Sequence, residues 1–117
     1  MNYSIDTSNS YTVIRVEGEM AVPECTAFLH VLEERLSSIT KPVIMDMERV
    51  SYIDSRGLGA LVLLHTRSRK AGQAFLISGV VPAVLKVIKL TALDAVFSLY
   101  PTFSQAAASL PGHEESE

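Results

Sequence analysis

The chain has 117 residues and a net charge of −3, with 48% hydrophobic and 20% charged residues. These values are typical of one globular domain. The acidic balance gives no support for nucleic acid or an anionic membrane as a partner, since both require a basic surface. The single cysteine, Cys25, and the lack of a signal peptide or of an apolar run of membrane-spanning length indicate a cytoplasmic protein without membrane insertion.

The first part of the chain predicts two strands and a helix. Residues 11–18 alternate between β-branched and polar side chains up to Gly18, and residues 3–7 are a candidate partner strand across a short polar turn. A helix is expected from Pro23 to about Ser37, because proline suits a first helical turn. Its predicted buried face consists of apolar residues at helical spacing: Phe28, Val31, Leu32 and Leu36.

The middle of the chain predicts a strand followed by a longer helix. Residues 42–47 are apolar nearly throughout, which is typical of a central strand covered on both faces, and residues 50–53 lead into Asp54. A helix is expected over residues 58–70, because its last turn is basic and Gly72 lies just beyond its end. Its predicted buried stripe follows the spacing of one helix face: Leu58, Leu61, Val62 and His65.

The last part of the chain predicts, in order, a strand, a helix, a strand and a helix: residues 74–77, about 82–90, 95–100 and 101–110. Residues 111–117 are expected to form an acidic disordered tail after a single domain of residues 1–110. Because strands alternate with helices, we expect an α/β fold. It should contain a mostly parallel sheet of four to five strands with an antiparallel edge, and about four helices.

The junction between the central strand and the next helix places a hydroxyl beside a carboxylate, in Ser55 and Asp54. A serine at a helix start is more often an N-cap than a phosphorylation site, and both roles stay open here. As a cap, Ser55 would face backbone N–H groups that also accommodate a phosphate. Asp54 has two candidate roles: it hydrogen-bonds the helix start, or it orients Ser55 and repels a phosphate there. Gly57 and Gly59 are expected to allow close approach of the helix to the sheet.

Motifs of catalysis and of metal or cofactor binding are missing from the sequence. It contains no phosphate-binding loop, no dinucleotide fingerprint and no nucleophile elbow. The three histidines, His30, His65 and His113, are scattered, so we expect no metal site and interpret His65 as a structural residue. A small hydrolase or ligand-binding domain that uses Ser55 is an alternative, although no base arrangement is readable for it.

The segment from Asp54 to Gly59, with the strand before it, resembles the signature of the STAS domain. Within that family it is most similar to the bacterial anti-sigma-factor antagonists. The resemblance covers about residues 4–108, including Gly18-Glu19 and the strand-to-helix step over residues 77–84. It therefore implies a STAS-like fold for most of the chain.

The resemblance also implies a partner-switching protein that is not an enzyme and needs no cofactor. In such a cycle the unphosphorylated antagonist binds an anti-sigma factor that is also a serine kinase. Phosphorylation of the serine after the aspartate, here Ser55, separates the two, and a phosphatase resets the cycle. The partner-binding residues implied by the resemblance are Glu19, Asp54, Ser55, Arg56, Gly57 and Leu58.

Two positions depart from the family pattern. Ala21 stands where members often carry aspartate, and Arg56 stands where many have a small residue. These departures keep a second interpretation open, in which the chain binds a partner without a phosphorylation cycle. It would then be a STAS scaffold or regulatory subunit of a lipid-transport or stress-sensing complex.

Overall fold

The computed structural model describes residues 1–111, so the predicted acidic tail lies outside the described residues apart from Pro111. The predicted order of strands and helices is confirmed, with one added 3₁₀ turn at Leu93–Ala95. The strands are β1 Asn2–Thr7, β2 Thr12–Met20, β3 Val43–Ile53, β4 Phe75–Ser78 and β5 Ser98–Tyr100. The helices are α1 Glu24–Arg35, α2 Ser55–Lys70, α3 Pro82–Leu90 and α4 Phe103–Ala108.

The five strands form one mixed sheet in the order β1-β2-β3-β4-β5. Strand β1 pairs antiparallel with β2, and all the other neighbours are parallel. This confirms the predicted α/β fold with an antiparallel edge. Because β2 and β3 are parallel neighbours, their carboxyl ends lie at the same edge of the sheet, and that edge carries the junction at Asp54.

Helices cover both faces of the sheet. The main core joins β2, β3 and β4 to α1, α2 and α3, and its members include Ile14, Met45, Ile77, Phe28, Leu61 and Ile88. The second, smaller core packs Ile44 and Leu76 against Ala106 and Ala107 of α4. Residues 43–47 of β3 are therefore buried on both faces, as their nearly continuous apolar sequence predicts.

The predicted buried stripe of α2 is confirmed for Leu61, holds in part for the half-buried Leu58 and His65, and is wrong for Val62. The side that faces the core consists of Gly57, Ala60, Leu61, Leu64 and Ser68, while Val62 is exposed and Leu58 half-buried. The helix begins three residues earlier than predicted, and a tight contact at Gly57 fixes its rotation against the sheet. His65 is half-buried with its ring edge-on to Phe97 at 6.0 Å, in agreement with a structural role.

The carboxyl ends of β2 and β3 lie further along the chain than predicted, and both ends form part of the site. Strand β2 does not close at Gly18 but continues to Met20, and Gly18 adopts a φ of 105° within it. Residues 50–53 continue β3 as one strand instead of leading loosely out of it. Both extensions bring the strand ends together beside α2. Among the helices within residues 1–111, none is long and apolar enough to span a bilayer.

The remaining differences lie in the helix faces and in the last third. The buried face of α1 is formed by Cys25, Phe28 and Leu32, whereas the predicted Val31 and Leu36 are only half-buried. Strand β5 is short because the chain first forms the 3₁₀ turn, which sends Phe97 into the core. Helix α4 ends at Ala108 and is shorter than its predicted range.

Candidate functional site

The candidate site lies where the ends of β2 and β3 meet the first turn of α2. The backbone N–H of Asp54 donates to the carbonyl oxygen of Met20 at 3.1 Å, which ties the two strand ends together. Helix α2 begins at the next residue, Ser55, and its first backbone bond runs from the N–H of Leu58 to the carbonyl of Asp54 at 2.9 Å. The site is therefore built on regular elements and not on a long loop.

Asp54, and not Ser55, is the N-cap of α2. Its Oδ1 atom accepts hydrogen bonds from the backbone N–H groups of Arg56 at 2.9 Å and Gly57 at 3.1 Å. Its Oδ2 atom accepts from the N–H of Val22 at 3.1 Å. Of the two candidate roles of Asp54, hydrogen bonding to the helix start is the one observed. The hydrogen bond from the Val22 N–H to Oδ2 joins the loop between β2 and α1 to α2. The sequence did not indicate this link.

Ser55 is exposed at the first helical position, and the hydrogen bonds within residues 1–111 do not involve its hydroxyl. The prediction that Ser55 faces the donors a phosphate would use is wrong, because Asp54 already occupies the N–H groups of Arg56 and Gly57. The fold thus leaves this hydroxyl free at the surface. A charge added to it would point to solvent or to a partner.

Gly57 allows α2 to approach the sheet closely, as predicted. A Cβ atom at this position would lie 2.4 Å from the carbonyl oxygen of Met20 and 2.6 Å from Cγ1 of Ile53. The same prediction is wrong for Gly59, where a Cβ atom would meet nothing within 4 Å. Gly57 is buried and Gly59 is exposed. Gly57 packs against the sheet and is therefore not accessible to a partner, whereas Gly59 is accessible.

The hydrogen bonds at the helix start also set the charge state of Asp54. Partial burial alone would raise the pKa of this carboxyl, but the N–H groups of Gly57, Val22 and Arg56 outweigh it and lower the pKa from its ordinary value. A lowered pKa in the folded state means that the ionised carboxylate stabilises the fold. Asp54 is accordingly a charged, structural link at neutral pH.

Replacing Asp54 with asparagine is expected to lower the free energy of unfolding at neutral pH by on the order of 1 kcal/mol, since charge-assisted hydrogen bonds are lost. The contribution of the charge is fully present above the unfolded-state pKa of about 3.9. It is lost as the pH falls through the lowered folded-state pKa. Urea unfolding of both proteins across the acid range measures the difference. A difference that persists unchanged to about pH 2 would contradict this role.

Cys25 lies beneath the site, with its thiol fully buried in the main core. Burial raises the pKa of the thiol to about 11; the Asp54 carboxylate adds to the shift and Arg56 opposes it. The thiol is therefore protonated at neutral pH, and it acts as a small apolar group below the first turn of α2.

The other predicted partner-binding residues differ in their exposure and in the element on which they lie. Arg56 is exposed and Leu58 is half-buried, both on α2. Glu19 is exposed on β2 opposite Tyr52, and alternates with the buried Met20, so it lies on the other face of the strand. The structure thus brings Asp54, Ser55 and Arg56 together and sets Glu19 to one side.

Two exposed apolar side chains at this edge are not among the six predicted partner-binding residues. Val22 is 55% exposed next to a cis peptide bond with Pro23, and Tyr52 is 51% exposed near the end of β3. The sequence carries no signal for the exposure of Tyr52, because strict alternation would place it on the same face as the buried Val50. Within residues 1–111, no three His, Cys, Asp or Glu side chains come together as a metal site.

Comparisons with known proteins agree with this architecture. The family profile of the STAS domain matches residues 2–106. A putative anti-sigma factor antagonist from Thermotoga maritima has a TM-score of 0.84 and 20% identity, over 92% of this chain and 93% of that chain. An anti-sigma factor antagonist from Mycobacterium paratuberculosis has a TM-score of 0.80 and 24% identity, over 93% and 92%.

A third solved structure is the Bacillus cell fate determinant SpoIIAA in its phosphorylated form. It has a TM-score of 0.64 and 20% identity, and the match covers 92% of this chain and 98% of that chain. At these identities the likeness to the three structures shows the fold alone. The profile match, in contrast, extends over nearly the whole described chain.

Proposed function

Because this chain belongs to the STAS domain family, we propose that it is an anti-sigma-factor antagonist whose binding is switched at Ser55. It binds an anti-sigma factor that is also a serine kinase, and phosphorylation of Ser55 ends the complex. The observation that carries the proposal is the free, exposed hydroxyl of Ser55 at the first position of α2, directly after the capping Asp54. Two of the structural neighbours are named anti-sigma factor antagonists, and a third is described in a phosphorylated form, which supports the proposal.

The covalent step is a phosphoryl transfer from ATP. The Oγ atom of Ser55 forms a bond to the γ-phosphorus, the bond to ADP breaks, and a base of the kinase takes the hydroxyl proton. An exposed hydroxyl without hydrogen-bond partners suits this transfer, since no native bond has to be given up. The reverse step is hydrolysis by a phosphatase, in which water releases inorganic phosphate and restores the serine.

The local charges explain why a phosphate would end the complex without unfolding the domain. Phosphorylation adds about −1.5 to −2 charges, and the positive end of the α2 dipole tolerates an anion. Asp54, however, already holds the N–H groups of Arg56 and Gly57. The new charge therefore stays at the surface beside a carboxylate, where it repels acidic groups of a partner and resists desolvation.

The proposed docking surface is the rim around Ser55. It combines Ser55, Arg56 and Leu58 with the exposed apolar side chain of Val22, and Tyr52 extends it on the other face of the sheet, beside Glu19. Glu19 contributes from the neighbouring strand, and Asp54 holds the rim in place. Gly57 supports this surface from below, because it is buried against β2.

Incubation with the cognate anti-sigma factor kinase and ATP is expected to add one phosphate to Ser55. Peptide mapping by mass spectrometry locates it, and a Ser55→Ala variant is the matched control that should stay unmodified. Modification of another residue, or of none while the kinase remains active on itself, would contradict the proposal.

The departures at Ala21 and Arg56 favour one other candidate function, a STAS scaffold or regulatory subunit of a lipid-transport or stress-sensing complex. In that case the same rim binds a partner constitutively. Stable co-purification with an ATPase or sensor protein, with unmodified Ser55, would identify it. The hydrolase alternative gains no support, because no histidine within residues 1–111 hydrogen-bonds to the Ser55 hydroxyl.

A further inference from the structure

A groove of about 410 Å³ lies between α1 and α2, directly beside Ser55. We call it the α1–α2 groove, and its lining consists of Leu29, Glu33, Ser55, Arg56, Gly59 and Leu63. The two leucines are half-buried and pack against the main core, so they form an apolar floor. Polar groups stand at its rim, and the phosphorylatable hydroxyl is one of them.

Gly59 is a helical glycine that the fold does not require. It is exposed in the interior of α2, and a Cβ atom would meet nothing within 4 Å. Glycine disfavours a helix interior relative to alanine, so its presence here needs a reason other than packing within the chain. A glycine on a groove wall lets another backbone approach closely.

The one unpaired charge in the groove is positive. Arg56 has no carboxylate oxygen within 4.0 Å among residues 1–111, since the three ion pairs of the described chain involve other residues. Glu33 already faces Arg67, with Oε2 and Nη2 3.6 Å apart. The carboxylate of Asp54 is turned into backbone N–H groups. The groove therefore complements a partner that carries a carboxylate to Arg56.

We propose that the α1–α2 groove receives a helix of the anti-sigma factor, whose backbone lies over Gly59. That helix seats an apolar side chain between Leu29 and Leu63 and pairs a carboxylate with Arg56. A helix with apolar anchors on one face is the occupant that a groove between two helices fits. This inference rests on the proposed function, and it names the residues of this chain that the partner contacts.

The arrangement gives Arg56 a specificity role that the family pattern does not supply. Ser55 and Arg56 line the same groove, so a phosphate on Ser55 would share that groove with the guanidinium that the partner uses. The phosphate pairs with the guanidinium in place of the partner carboxylate, because a dianion binds it more strongly than a single carboxylate does. It also repels the carboxylate of the partner. The departure at Arg56 thus becomes part of the switch.

The test uses the full chain and the kinase-fold anti-sigma factors encoded in the same genome, each purified and titrated calorimetrically. Two variants address the groove. Gly59→Leu places a bulky side chain where the partner backbone would lie, and Arg56→Glu reverses the charge that faces the partner carboxylate. Matched controls on the exposed side of α3 are Ala83→Leu and Lys86→Glu. We expect each groove variant to lose at least tenfold in affinity without a fall in melting temperature, and each control to bind like the wild type.

A charge swap sharpens the test. Changing the acidic partner residue to lysine should restore binding to Arg56→Glu and weaken binding to the wild type. If Gly59→Leu lowers the melting temperature, Gly59→Ala replaces it, with a smaller loss of affinity expected.

The outcomes separate this inference from the proposed function. If an anti-sigma factor binds the wild type and both groove variants equally, the groove assignment is wrong and the proposed function stands. If the groove variants change self-association instead of partner binding, the occupant is a second copy and the assignment is also wrong. If none of the anti-sigma factors binds the wild type, the proposed function and this inference both fall.

Discussion

Replacing Ser55 with aspartate is expected to weaken binding of the anti-sigma factor by about 100-fold, which corresponds to about 2.7 kcal/mol. The carboxylate would stand at the exposed first position of α2, beside the charged Asp54. Asp54 keeps the N–H groups of Arg56 and Gly57, so the added charge is not absorbed by the helix start. It faces the partner, where like charges and incomplete desolvation cost affinity.

The controls separate a charge effect from a folding effect. Ser55→Ala should bind within about threefold of the wild type, because the Ser55 hydroxyl makes no hydrogen bond within residues 1–111. A threefold change in affinity corresponds to only about 0.7 kcal/mol. Ser104→Asp places the same change in the first turn of α4, on the opposite face of the sheet, and should not affect binding. Equal affinity of Ser55→Asp and the wild type would refute the switch. Calorimetry measures all four proteins.

Replacing Gly57 with alanine is expected to lower the free energy of unfolding by about 2 kcal/mol or more. The added methyl group would stand 2.4 Å from the Met20 carbonyl oxygen and 2.6 Å from Cγ1 of Ile53, and the first of these is a backbone atom that limits relaxation. Moving α2 outward to relieve the clash stretches the bond from Asp54 N–H to the same carbonyl. The overpacking cost therefore exceeds the gain of up to about 1 kcal/mol that alanine brings to a helix.

Gly59 provides a matched comparison two residues further along the same helix. Its replacement by alanine meets open space and should raise the free energy of unfolding by up to about 1 kcal/mol. The two variants have the same chemistry and opposite expected signs. Urea unfolding of both proteins measures them. Equal effects at the two positions would contradict the described contact between Gly57 and β2.

The order of strands and helices could be predicted because each element carries its own periodicity. The apolar run over residues 42–47 indicated a strand buried on both faces, and α1 and α4 cover opposite sides of the sheet. The antiparallel edge followed from the short polar connection between the first two strands. These features depend on local patterns, which a single sequence contains.

The details of the junction could not be predicted, because they depend on contacts between distant segments. Aspartate and serine are both good N-caps, so their order in the sequence did not decide between Asp54 and Ser55. The link from Asp54 to Val22 joins residues on different elements, and it appears only in the folded chain. The rotation of α2 follows from the contact of Gly57 with Met20, which also crosses between elements.

The motif placed Asp54 and Ser55 at the strand-to-helix junction that the structure shows, but it described the surroundings of that junction only in part. The motif indicated Asp54 and Ser55, while the exposed Tyr52 at the same edge was missed. The groove wall contributed by Leu29 comes from α1, and no local pattern relates it to Gly59. A sequence motif names residues close in the chain, whereas a docking surface is made of residues close in space.

We propose above that a phosphate on Ser55 controls the binding of an anti-sigma factor. The most direct test of this proposal compares the affinity of that factor for the unmodified chain and for the chain phosphorylated stoichiometrically at Ser55, under the same salt and pH. We expect the affinity to fall by about 100-fold or more on phosphorylation and to return after phosphatase treatment, with the fold retained. Equal affinity of the two forms would contradict it.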